Sequence, residues 1–66
     1  MWTPERVRNL RKGYDETQEE FAKRIRVSIE TVRSWEQDKA RPAGPATLVL
    51  EHLERELPDT ATVKAG

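Results

Sequence analysis

Cysteine is absent from the 66-residue chain, so no disulfide can staple it and no thiolate can bind zinc. Its single histidine, His52, cannot alone build a metal site, and no Ser–His–Asp or Cys–His catalytic set can be assembled. No enzymatic activity, metal or cofactor is therefore expected, and His52 reads as a surface or dimer-edge residue. No apolar run approaches the ~18 residues of a membrane span. No leader pattern opens the chain. A cytoplasmic protein with no membrane partner is the expectation. Net charge is also lacking, at +0, which argues against loose adhesion to any polyanion. Repeats, strand alternation and a glycine-rich phosphate loop are missing too.

What remains is one small domain. With 35% apolar and 36% charged residues, only a single core is possible, worth rarely more than ~3–5 kcal/mol. A second copy of the chain is the expected stabiliser. The zero net charge hides an asymmetry. Residues 1–43 hold ten Lys/Arg against eight Asp/Glu, whereas residues 44–66 hold two against four. A mildly basic front is masked by an acidic end, the arrangement expected for a nucleic-acid partner.

Helix signals punctuate the chain. Thr3, Pro4 and Glu5 supply a cap, a preset φ and a charge that complements the dipole. Val7 and Leu10 then share a face over Trp2, and Gly13 ends this first helix behind Arg11 and Lys12. "TQEE" from Thr17 fits a capping box and opens a second helix, with Phe21, Ala22 and Ile25 as its buried stripe. Ser28 caps a third. After the loop "DKARPAGP", a fourth helix is expected over about Pro45 to Glu56. Leu48, Val49 and Leu53 share its inward face, and Leu50 lies to one side, exposed or used elsewhere. Pro58 closes that helix. The domain is expected over residues 1–57, with 58–66 a flexible tail. Trp2 is either core or a dimer contact; Leu48 to Leu53, with Leu57 and Val63, form the leftover apolar surface for a dimer.

The third helix carries the functional argument. At about 100° per residue, Thr31, Val32, Trp35 and Glu36 fall on the inward half. Glu30, Arg33, Ser34 and Gln37 form one outward polar face with Ile29 at its edge. A guanidinium fork, a carboxylate, an amide and a hydroxyl are groups that read donor and acceptor patterns on base edges, and Ile29 could touch a thymine methyl. Such a face is also what any solvated helix shows. The surroundings decide between the two: a capped helix, a short turn and a second capped helix, over about 17–37, is the pattern whose second helix enters the major groove.

"TQEEFAKRIRVSIETVRSWEQDKARP" resembles the phage repressor and Cro-type (XRE) helix-turn-helix family. "VRSWEQ", "RP" and "GPA" are most similar to its HigA-like antitoxin and small-regulator branch. The resemblance spans about Val7 to Leu53. It implies a compact all-α, lambda-repressor-like domain of four or five helices that regulates transcription by binding double-stranded operator DNA, usually as a homodimer. By the same resemblance Ser28, Ile29, Glu30, Arg33 and Ser34 are the base-reading positions. Thr17, Gln18, Gln37, Lys39 and Arg41 are the phosphate contacts, Gln18 also bracing the third helix. Arg11 and Glu36 match a partly buried ion pair joining the first helix to the third.

Three departures stand out. Arg26 occupies a turn position where the family often has glycine, and Asp38 another after the third helix. "DETQ" replaces the family's "GLTQ", so Asp15 and Glu16 add acids that should weaken DNA binding, while Tyr14 refills the vacated corner of the core. Glu30 either reads a cytosine, is held by Arg33 or Arg26, or marks a surface that no longer binds DNA. The alternative function is an antitoxin or antiactivator of the same fold that acts mainly by gripping a partner protein.

Overall fold

The computed structural model describes residues 1–57, which form four helices: α1 Pro4–Gly13, α2 Gln18–Ile25, α3 Ile29–Glu36 and α4 Pro45–Glu56. No strand occurs among the described residues, so the all-α expectation holds. The expected flexible tail, with Val63, lies outside the described residues.

Each of the first three helices starts on a side-chain cap. Thr3, Thr17 and Ser28 accept from the backbone N–H groups of Arg6, Glu20 and Thr31, and Thr17 with Glu20 closes the full capping box. The exits are alike as well. Asp15, Arg26 and Asp38 have φ of 57°, 61° and 61°. One residue further on, Glu16, Val27 and Lys39 donate backbone N–H bonds to the carbonyls of Arg11, Ala22 and Ser34 at 3.3, 3.0 and 2.9 Å. These are Schellman endings, each with a non-glycine residue in the left-handed position. Arg26 and Asp38 thus sit where the sequence placed them. Gly13 is the last residue of α1, as expected, although the left-handed residue beyond it is Asp15. Gly13 also leaves room for the Leu57 side chain, since a Cβ there would lie 2.9 Å from both Leu57 methyl carbons and make them shift.

A β-carbon in the left-handed region costs about 1–2 kcal/mol, and Arg26 is exposed with no salt bridge among the described residues. Arg26→Gly is therefore expected to stabilise the fold by about 1 kcal/mol, after allowance for the greater freedom of glycine in the unfolded chain. A urea titration followed by circular dichroism measures this.

The core comprises Trp2, Val7, Leu10, Phe21, Ala22, Val32, Trp35 and Leu50. Tyr14, Ile25, Val27, Ile29, Ala46 and Leu53 pack against it. Trp2 is therefore a core residue. The Arg6 guanidinium lies 3.8 Å over the Trp2 ring and forks onto Glu54, Nε to Oε2 at 3.0 Å and Nη2 to Oε1 at 2.7 Å, tying α1 to α4. Tyr14 does refill the corner between helices, its hydroxyl donating to the Leu53 carbonyl at 2.6 Å.

The inward face of α4 is not the expected one. Leu50 is fully buried, whereas Leu48 is 68% and Val49 42% exposed. The stripe that meets the core is Ala46, Leu50 and Leu53, spaced four and three, as one helical face demands. Ala46 is too small to announce that stripe beside three consecutive larger apolar residues.

Candidate nucleic-acid interface

The orientation of α3 is set from behind. Val32 and Trp35 are buried, and so is Glu36, at 7% exposure. A buried carboxylate survives only where its oxygens are paired. Here Arg11 Nε donates to Oε2 at 2.8 Å and Arg11 Nη2 to Oε1 at 3.1 Å, while Gln18 Nε2 donates to Oε1 at 3.2 Å. Arg8 Nη2 donates to the Glu36 carbonyl at 3.0 Å, and Arg11 Nη1 to the Glu16 carbonyl at 2.9 Å. The expected Arg11–Glu36 pair is present, and it is the centre of a larger network that joins α1, α2 and the end of α3. Gln18 braces α3 through this network. Arg8 was not foreseen; its place one turn before Arg11 on α1, facing the same carboxylate, is the signal that could have found it.

Burial pushes the Glu36 carboxyl upward, but hydrogen bonds from Arg11 and Gln18, with the charges of Arg11 and Arg8, outweigh it and hold the group below the ordinary carboxylate range. The same bond, opposed by burial, raises the Arg11 guanidinium. The carboxylate is thus ionised and locked at neutral pH.

The outward groups are not equally available. Ser28 Oγ accepts from Thr31 N at 3.2 Å and lies 2.9 Å from Thr31 Oγ1, so capping occupies it. Ile29 is half-buried against the core. Ser34 is half-buried, and its carbonyl accepts the N–H groups of Lys39 and Ala40. Glu30, Arg33 and Gln37 are exposed, and Arg33 Nη1 donates to Glu30 Oε2 at 3.1 Å. Of the expected holders of Glu30, Arg33 is the one that does so.

Around this face Thr17 and Lys39 are exposed. Arg41 is also exposed and donates from Nε to Asp38 Oδ1 at 3.2 Å. The added acid Glu16 is not a free negative charge: Arg24 clamps its carboxylate, Nη2 to Oε2 at 2.7 Å, and lies 4.6 Å over the Tyr14 ring. The shallow hollow between α1 and α2, lined by Arg11, Lys12, Asp15, Glu16 and Thr17, mixes both signs of charge. Among the described residues no cluster of His, Cys, Asp or Glu could hold a metal ion, and no helix is long and apolar enough to cross a membrane.

Two capped helices, a left-handed turn at Arg26 and a second helix held from behind with its polar side outward are the parts of a helix-turn-helix. The family model described as helix-turn-helix matches residues 7–47, more than half of the chain. The chain belongs to the helix-turn-helix family. No curated protein and no solved structure matches it. In this helix-turn-helix domain α2 is the first helix of the motif and α3 the second. The matched segment ends at Thr47, inside α4, so most of α4 lies beyond the part that defines the family. Domains of this family bind DNA, which makes duplex DNA the partner that the match supports.

Proposed function

We propose that the protein is a sequence-specific, XRE-type transcriptional regulator that binds operator DNA through α3 in the major groove. The observation that carries this reading is the division of α3 into a sealed inner half, Val32, Trp35 and Glu36, and an outer half that leaves Glu30, Arg33 and Gln37 in solvent. Base reading falls to Glu30 and Arg33, with Ile29 and Ser34 at the margins and Ser28 serving as the cap. Thr17, Gln18, Gln37, Lys39 and Arg41 flank the phosphates. Such a regulator acts in the cytoplasm as a homodimer, across half-sites about one helical turn apart. The exposed Leu48 and Val49 on α4 support the pairing.

A second reading is favoured by the same two residues. A HigA-like antitoxin or an antiactivator would use the outer face of α4 to grip a partner protein. Both roles fit one chain.

Enrichment of duplexes from a random pool, followed by fluorescence anisotropy on the enriched sequence, tests the DNA reading. With 3–6 phosphates neutralised per protomer, log K is expected to fall against log salt with a slope of about 3–5 per protomer. Absence of any duplex uptake in dilute buffer would sink the reading. Sedimentation at micromolar concentration tests the dimer; a monomer there removes the two half-sites from the account.

A further inference from the structure

The Glu30–Arg33 pair constrains what α3 can read. Arg33 carries five N–H donors in a rigid fork. One of them, on Nη1, is taken by Glu30 Oε2 at 3.1 Å, which leaves the Nε–Nη2 edge open. Glu30 keeps Oε1 without a hydrogen-bond partner among the described residues, and its side chain is 76% exposed. A lone arginine on this face would be drawn to the nearest phosphate. A carboxylate fixed beside it repels phosphate, so the couple is ill suited to the DNA backbone and suited to base edges, where donors and acceptors lie side by side.

We propose that Glu30 and Arg33 act as one reading unit for two adjacent G·C base pairs, Arg33 donating to guanine O6 and N7 on one pair and Glu30 accepting from cytosine N4 on the next. Guanidinium to guanine and carboxylate to cytosine are the pairings that base-edge chemistry allows these two side chains. Their spacing agrees. Residues three apart on a helix share a face one turn apart, so both side chains can reach neighbouring base pairs in one groove. The tether between them makes the two choices interdependent: Glu30 aims the guanidinium, and Arg33 offsets the charge that would otherwise expel Glu30 from the groove. This inference rests on the DNA-binding reading above and adds the sequence class of its target.

Full-length protein, wild type and variants, is taken through random-duplex selection, and each position of the selected site is then substituted singly. The expected motif contains adjacent G·C pairs in each half-site, each worth about tenfold in affinity against A·T. Arg33→Ala should abolish the guanine preference. Glu30→Gln should relax the cytosine position to about twofold or less and, because Glu30 aims the guanidinium, also weaken the guanine preference without abolishing it. Both residues are exposed, and unchanged circular dichroism melting verifies folding. A core motif of A·T pairs would overturn the proposal while leaving DNA binding intact. So would Arg33→Ala weakening all duplexes equally with a salt slope reduced by about one, the signature of a phosphate contact. Enrichment of no duplex at all would remove the DNA-binding reading, and this inference with it.

Discussion

Glu36→Ala is expected to unfold the protein, or nearly so. Removing one partner of a buried, hydrogen-bonded ion pair costs about 3–5 kcal/mol, because the remaining charge stays buried without compensation. A core of this size supplies a similar total. The stranded group is Arg11, 15% exposed at its side chain, and Gln18 loses its acceptor as well. Urea denaturation followed by tryptophan fluorescence reads the loss. The double replacement Arg11→Met with Glu36→Leu should recover most of it, since apolar groups of similar volume leave no charge to solvate. If Glu36→Ala instead melted like wild type, the network would be incidental to the fold.

The same network fixes the sign of the pH response. The Glu36 carboxyl is held below its ordinary value of 4.5, and that of Glu54, hydrogen-bonded by Arg6 and opposed by burial, is also lowered. A depressed carboxylate contributes stability that is present above its unfolded pKa and lost as pH falls through the folded one. Melting temperature should therefore hold near neutrality and drop below about pH 4.5. Arg11→Met with Glu36→Leu should flatten that drop.

Leu50→Ala is the second large effect, at about 2–5 kcal/mol. Leu50 is fully buried at the contact of α4 with the core, and its removal leaves a cavity between rigid neighbours. Leu48→Ala, two residues away and 68% exposed, should change monomer stability by no more than about 0.5 kcal/mol. The pair of variants separates two roles that sequence alone merged. If Leu48→Ala left melting unchanged in dilute solution yet lowered it at high protein concentration, α4 would be shown to pair with another copy.

What was legible in the sequence is what short-range chemistry dictates. Thr3, Thr17 and Ser28 announce their helices through a side-chain oxygen placed before an apolar period. The Arg11–Glu36 pair is legible through the resemblance to related repressors, and the inward position of Glu36 on its helix agrees with it. Long-range pairings were not. Arg6 finds Glu54 across 48 residues and Arg24, on α2, finds Glu16 in the turn that precedes that helix; with twelve cations and twelve acids, periodicity does not select among the combinations. The phase of α4 was misread for a different reason. Leu48, Val49 and Leu50 are consecutive, so the rotation of the helix is decided by Ala46 and by its docking on α1. Gly13 marks the end of α1, yet the left-handed position that a glycine suits lies two residues further on. Asp15 took that position instead, leaving Gly13 to admit Leu57.

The buried carboxylate has a consequence for how such a chain could change its target. The groups that fix the tilt of α3 (Val32, Trp35, and Glu36 with its donors Arg11 and Gln18) pack behind the helix, away from its outer face. The exposed side chains at 30, 33 and 37 support nothing beneath them. Under the proposed reading of DNA by α3, a new preference can thus be reached by exchanging Glu30 and Arg33 one at a time, each intermediate still folded, and the domain serves as a socket that accepts different keys without being recast.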